Sequence, residues 1–371
     1  MRDRVAKRRM GLKSRLVGLV LCLSGFAMAM AGGAAQAQPF TAWLRSTPGY
    51  PTTSGFIQIP HSGALNPTGA FTIEAWVAIS NDVSGEDCRS IAGKNYQAAW
   101  WIGQCNVAGQ PTLRSYLKGS GSLRNGGIIP RGPWTHVAVV FDGTHRLHYI
   151  NGELAASFPE TGPLTVSGDS MRIFSDVSWA RSPNGRIDEV RLWNVARSIG
   201  QIRASLNKRI TTAQPGLVAV WSLDGSANDI IGTHDGATMG TGLGFFTFAV
   251  AASCGGPTAE TLCLQSRFVV SAQWRTNPTP GTPPDGDAQV VTSDIGSGIF
   301  WFFSANNWEI MAKAINGCGL NNRYWFFSAA TTNVFYRVTV TDVHGEQKIY
   351  FNYPGPPAPA VTDTDALATC P

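Results

Sequence analysis

From Trp134 the chain runs Trp-Thr-His-Val-Ala-Val-Val-Phe, breaks at Asp142-Gly143, resumes through Leu147-His148-Tyr149-Ile150 and breaks again at Asn151-Gly152. Asp-Gly and Asn-Gly tolerate the positive φ angles of tight hairpin turns, so the segment reads as an antiparallel β-meander. The stretch 71–79 is a second clean strand. Phe71, Ile73, Ala75, Val77 and Ile79 lie on one face and Thr72, Glu74 and Trp76 on the other, so one face is core. Further strands are expected at 55–59, 100–102, 113–117, 134–141, 147–150, 171–174, 187–193 and 217–223. Many short strands between Gly, Pro and Asn turns specify an all-β sandwich or jelly roll. One helical turn interrupts the pattern: Ser198-Ile199-Gly200-Gln201 has the spacing of a capping box, with Ile199, Ile202 and Leu206 expected to face inward.

The first residues stand outside this pattern. A basic stretch (Arg2 to Arg15), an apolar run (Leu16 to Ala31) and the small-x-small site Ala35-Gln36-Ala37 make residues 1–37 a secretory signal peptide. Leu21 precedes Cys22 where a lipoprotein signal needs a small residue, so no lipid anchor is expected. Gly11 stands where a twin-arginine signal prefers an aromatic, which favours the general secretory route. Export would leave the product secreted, periplasmic or on the cell surface.

Removing seven basic residues and one acid turns the formal charge of +5 into 22 basic residues against 23 acidic ones. The basic balance therefore belongs to the leader, and a nucleic-acid footprint is unsupported. No later apolar run reaches the roughly 20 residues that span a bilayer. Six cysteines remain: Cys88, Cys105, Cys254, Cys263, Cys318 and Cys370. An even number in an exported chain reads as disulfides, and although 15 connectivities exist on paper, locality favours Cys88–Cys105, Cys254–Cys263 and Cys318–Cys370. No pair has the C-x-x-C spacing of a zinc or redox site.

The meander resembles the laminin-G-like, concanavalin A-like family, whose usual signature reads W-x-H-V-A-V-V-x-D-G … L-Y-V-N-G. The likeness extends in order through Ile59-Pro60-His61-Ser62-Gly63-Ala64-Leu65-Asn66, Phe71-Thr72-Ile73-Glu74-Ala75-Trp76, Ile187-Asp188-Glu189-Val190-Arg191-Leu192-Trp193-Asn194 and Gly216-Leu217-Val218-Ala219-Val220-Trp221-Ser222-Leu223-Asp224, over about residues 41–245. It implies a jelly roll over residues 38–248 that binds a glycan or an extracellular protein. By the same resemblance Trp76, Trp134, Trp193, Trp221 and His136 are core positions. Sandwiches of this superfamily often carry a structural Ca²⁺, for which the resemblance points to Asp188, with Asp224 second; such an ion takes oxygen ligands.

A second all-β unit is expected over residues 249–371, with strands at 267–275, 299–303, 308–315, 323–327, 334–341 and 347–353, a Pro- and Gly-rich surface loop at 277–286 and a Pro-rich tail from Pro354. It looks like an uncharacterised module at the C-termini of exported bacterial proteins, a resemblance that carries no function. Trp301-Phe302-Phe303-Ser304-Ala305 recurs as Trp325-Phe326-Phe327-Ser328-Ala329. Consecutive aromatics on a strand cover both faces, so core packing is the expectation and at most one face of each strand is free.

Catalytic patterns are missing. The E-x-D-x-E strand of a laminarinase-like relative is absent, as are G-x-S-x-G and H-E-x-x-H. Glu74 and the Asp188-Glu189 pair are the nearest acids. Neighbours on a regular strand point to opposite faces, so Asp188 and Glu189 should not share a ligand. Tyr96, Trp100, Trp101 and Trp179 lie in or near turns, where rings could stack on sugars. The sequence therefore indicates a non-enzymatic binding protein, with a divergent glycoside hydrolase or lyase and a structural surface component as alternatives.

Overall fold

The computed structural model describes residues 41–44, 55–80, 87–96, 98–117, 122–178, 181–246, 253–355 and 359–370; the leader and Trp179 lie outside them. Ala37–Pro371 form one compact unit. The described strands fall into four antiparallel sheets. Among the described residues no helix is long and apolar enough to cross a membrane.

The first sandwich is the expected jelly roll. In its eight-stranded sheet Phe71–Ile79 is central, between Thr135–Phe141 and Gly185–Trp193. The meander continues through His145–Ile150 to Glu153–Pro159. Both turns are as the dipeptides require: Gly143 has φ 96°, and Asn151 and Gly152 have φ 51° and 74°. Asp142 Oδ1 accepts the amides of Thr144 and His145 at 2.7 Å, closing the first turn. The opposing seven-stranded sheet is built on Cys88–Gly93, Trp100–Val107 and Gln110–Leu117. Between the sheets Phe71, Ile73, Ala75, Val77 and Ile79 meet Ile57, Ile91, Ile102 and Leu113, all fully buried.

The polar side of Phe71–Ile79 is buried as well, which alternation alone did not indicate. Thr72 and Glu74 are inaccessible and Trp76 is half-buried, because two things cover them. One is the helix Ile199–Ser205, whose capping box is present in full: the Gln201 amide donates to Ser198 Oγ, and the Ser198 amide donates to Gln201 Oε1. Ile202 and Leu206 are buried and Ile199 is partly so, as expected.

The other cover is the second sandwich. Its junction sheet comprises Thr261–Leu264, Phe268–Arg275, Phe335–Asp342, Gln347–Asn352 and Gly286–Asp287. Ile349 and Phe351 of this sheet pack on Trp76, Ala78 and Trp134, with Phe351 stacked 6.4 Å from Trp76. The outer sheet comprises Gln289–Ser293, Ser297–Ser304, Asn307–Asn316, Tyr324–Ala330 and Val361–Leu367. The last strand lies in the segment read as a Pro-rich tail; its Thr362 and Asp363 pair with Phe327 and Phe326. Disulfides join Cys88 to Cys105, Cys254 to Cys263 and Cys318 to Cys370, with Cα separations of 4.0, 5.7 and 5.7 Å, within or near the range a bridge tolerates.

Candidate functional site

Of the four rings expected to form a sugar platform, the two tryptophans among the described residues are buried. Trp100 and Trp101 are 2% and 1% exposed. They sit on a central strand, Trp100–Val107, so each side chain meets cover on its own face. Trp100 enters the jelly-roll core and donates its indole N–H to the Leu65 carbonyl at 3.2 Å. Trp101 donates to Ser90 Oγ at 2.8 Å and lies under Tyr96, Tyr116 and the Cys88–Cys105 bridge. Tyr96 alone of the described three is half-exposed. Trp179 is outside the described residues.

Glu74 is a structural anion. Its Oε1 accepts from Trp193 Nε1 at 2.9 Å and Arg197 Nη1 at 2.7 Å, with Arg191 at 3.9 Å and His136 Nε2 at 3.4 Å from Oε2. Burial pushes the carboxyl up, but the His136 hydrogen bond and the Arg191 and Arg197 charges overcome it and hold it at about 2. Burial also lowers His136, so the two guanidiniums supply the countercharge. An acid this strong and this enclosed cannot deliver a proton to a substrate. His148 is inaccessible on Ser115, 2.7 Å away.

A cleft lies between the two sandwiches. It has a cavity volume of ≈ 130 Å³, with Trp76 and Trp134 as apolar wall and Asp188, Glu189, Asp224 and Glu346 among its acids. A β-bulge creates its floor. Against Phe71–Ile79, Asp188 pairs with Trp76 but Arg191 with Glu74, leaving one residue too many, and Glu189 takes φ 49°. The extra residue turns Glu189 to the same side as Asp188, so both line the cleft. This corrects the expectation from regular alternation.

Charges there are paired unequally. Glu189 holds Arg191 at 2.8 Å and lies 3.8 Å from Arg209, while Arg209 Nη2 is 2.5 Å from Asp224 Oδ2. Asp188 accepts from the Glu189 amide at 2.9 Å. Its carboxyl is held well above the ordinary range, by burial first and then by the Asp224 and Glu189 charges. Glu346 is also raised by burial, against the pull of Lys348 and Arg209. None of Arg209, Glu346 and Lys348 carried a sequence signal, because the cleft exists only once distant strands meet.

Asp188 and Asp224 therefore do share one site. A calcium ion needs six to eight oxygens. Among the described residues no group of three or more His, Cys, Asp or Glu side chains is placed to hold a metal ion, and Arg209 already occupies Asp224. As arranged, the pair does not fit calcium.

Residues 51–203 match the family model described as the concanavalin A-like lectin/glucanases superfamily. No curated protein matches the sequence. Among solved structures, a candidate carbohydrate-binding protein from Bacteroides ovatus is 20% identical with a TM-score of 0.45; the alignment covers 56% of this chain and 60% of that one, under two thirds of its length. Domain 4 of an extracellular GH43 arabinanase from Geobacillus stearothermophilus, solved with arabinotriose, is 21% identical with a TM-score of 0.33, covering 44% and 86%. The binding domain of botulinum neurotoxin serotype C1 is 11% identical with a TM-score of 0.34, covering 85% and 89%.

Proposed function

We propose that this chain, whose residues 51–203 are a laminin-G-like domain of the concanavalin A-like superfamily, is an exported, non-catalytic protein that binds a glycan. The observation that carries the reading is the cleft. Trp76 and Trp134, themselves packed against Phe351 and Ile349, supply the apolar edge of the cleft, while Asp188, Asp224, Glu346, Arg209 and Lys348 supply its polar groups. A sugar ring presents the matching chemistry, an apolar face edged by hydroxyls, and small-ligand sites combine an apolar lining with a few placed polar groups. The cavity suits a single sugar unit or chain end. Export is supported by the leader pattern and by three disulfides, which persist in oxidising compartments.

One observation favours a second reading. A carboxyl held above its ordinary range by burial and by two adjacent acids, as Asp188 is by Asp224 and Glu189, has the character of a glycosidase's general acid. The mature protein on a glycan array separates the two. Binding without turnover, weakened about tenfold or more by Asp224→Asn or Arg209→Gln, is expected. Cleavage of the bound glycan, abolished by Asp188→Asn, would establish the hydrolase; an array that stays blank would end the glycan reading and leave a protein surface as the partner to seek.

A further inference from the structure

Away from the cleft, one polar cluster of the jelly roll has an order that packing alone does not require. The strand Phe56–Ile59 pairs antiparallel with Ala237–Met239. Ser62 follows the first strand and His234 precedes the second, so both stand at the same end of that ladder. There Ser62 Oγ lies 3.3 Å from His234 Nε2, and His234 Nδ1 lies 3.3 Å from Asp229 Oδ2. Exposure rises along the series: the Asp229 carboxylate is inaccessible, the His234 ring is 14% exposed and Ser62 is half-buried. A serine, a histidine and a buried acid joined in this order through the two ring nitrogens form the arrangement that activates a hydroxyl. It is recognised by geometry and not by sequence position.

The surrounding hydrogen bonds decide where the protons sit. Asp229 accepts from the amides of Val220 and Ile231 on Oδ1 and from the His234 amide on Oδ2, at 3.0 to 3.2 Å. These neighbours are all donors, so the ring nitrogen facing Oδ2 donates as well. In the neutral ring Nδ1 therefore carries the proton, and Nε2 keeps the lone pair. Ser62 Oγ already accepts from the Ala64 amide at 3.3 Å. Its own proton is left to be given, and Nε2 is the acceptor at hand. Capping the Ala64 amide alone would need no histidine. Gly232 lets the loop wrap the acid this closely, since a Cβ there would meet Asp229 Oδ2 at 2.6 Å, and beside Ser62 the space is open, since a Cβ built at Gly63 meets nothing within 4 Å.

We propose that Ser62, His234 and Asp229 form an acyl-transfer site that hydrolyses small carboxylic esters. Ser62 Oγ attacks the carbonyl carbon while its proton passes to His234 Nε2. The bond from that carbon to the alcohol oxygen then breaks, the alcohol leaves with the proton from Nε2, and the acyl group stays on Ser62. Water, giving its proton to Nε2, attacks the acyl-serine; the carboxylic acid departs and Ser62 recovers its proton from Nε2. Asp229 touches no substrate and is a positioning residue, which holds the ring in the tautomer that can accept. A half-buried serine with open space beside it suits a short acyl group, such as acetyl, carried on a larger alcohol. The proposal goes beyond the glycan reading. None of the three residues lines the cleft, where binding without turnover is still expected.

The test uses the whole mature protein, treated with a fluorophosphonate that bonds covalently to activated serines and assayed in parallel on para-nitrophenyl acetate. Labelling at Ser62 and ester hydrolysis are expected in the parent. Ser62→Gly should abolish both, and His234→Gln should lower hydrolysis about hundredfold or more. Glycine caps a helix nearly as well as serine, so Ser62→Gly should keep the parent's melting curve. Asp229→Asn should lower kcat with KM near the parent's, which separates lost orientation of the ring from a loosened loop, where KM would rise. A parent left unlabelled at Ser62 would overturn the proposal, as would hydrolysis that persists in Ser62→Gly. Either result would leave His234 as a structural tie between the two strand ends.

Discussion

Nη2 of Arg275 lies 2.8 and 2.9 Å from the two carboxylate oxygens of Glu153, joining the second sandwich to the jelly roll through a pair that is 2% and 4% exposed. The other nitrogens of the guanidinium are engaged as well. Its Nε donates to the Asn277 carbonyl and its Nη1 to that of Thr282, while its face covers the Phe335 ring at 4.1 Å. The junction thus has a buried charge pair beside the apolar contact of Trp76 with Phe351, and the two sandwiches should melt together.

Arg275→Met tests this. Stranding a buried carboxylate typically costs about 3–5 kcal/mol, much more than the intact pair contributes relative to an apolar replacement. Burial raises the Glu153 carboxyl above its ordinary 4.5, with Arg275 pulling the other way. A raised carboxyl favours the folded state below its ordinary value and loses that advantage as pH rises through the folded one. Without Arg275 the folded carboxyl rises further, so the defect of Arg275→Met should be largest at neutral pH and shrink as pH falls toward 4.5. The double variant with Glu153→Gln should recover much of the loss, and an equal defect at all pH values would show that the charge is not its cause.

Glu74 predicts the opposite dependence. Its carboxyl lies at about 2 instead of 4.5. A depressed carboxyl contributes stability above the ordinary value and loses it as pH falls through the folded one; 2.5 units correspond to about 3 kcal/mol. Chemical denaturation between pH 5 and about 2 should show this loss in the parent and a much flatter profile in Glu74→Gln, which is weaker at pH 7. Matching profiles would remove Glu74 as the acid-sensitive anchor.

The contrast between these two acids shows what the sequence could convey. Asp142-Gly143, Asn151-Gly152 and the Ser198–Gln201 box are local devices, whose geometry is set by residues within reach of one another, and each was legible. Trp76 was not. Alternation placed it opposite the core, and only Leu206 and Phe351, 130 and 275 positions on, make that side an interior. Trp100 and Trp101 were misread for a related reason: beside a turn in sequence, they occupy a central strand covered on both faces. The Glu189 bulge breaks the period-two rule that separated it from Asp188, and no residue type announces such a bulge when its φ 49° falls on a glutamate.

The helix cap offers a local test. Ser198→Ala removes the acceptor of the Gln201 amide, and such changes cost about 1 kcal/mol. Because Leu206, just beyond this helix, and Lys208 carry the carbonyls that bind Trp76 and Arg191, a fraying first turn should also loosen the cleft. Hydrogen exchange should quicken over Ile199–Ser205 in the variant. Unchanged exchange there would mean that packing of Ile202 alone secures the helix.

The last prediction concerns the cation at Asp224. Ca²⁺ bound to the folded state would add roughly 2.7 kcal/mol at a hundred times its dissociation constant, so chelation would lower the melting temperature. Arg209 instead meets Asp224 at 2.5 Å and lies 3.8 Å from Glu189, with its side chain 46% exposed. It is close enough to neutralise the acids and free enough to be replaced. We therefore expect chelator to leave the parent's melting curve unchanged and Arg209→Gln to lower it, since Asp224 then loses its guanidinium partner and Glu189 keeps only Arg191. In that variant, added calcium should recover part of the loss, because the ion supplies the positive charge that the guanidinium gave. A parent whose melting temperature falls in chelator, with the response abolished by Asp188→Ala, would reverse the assignment and make the ion, with Arg209 displaced, the resident cation of the cleft.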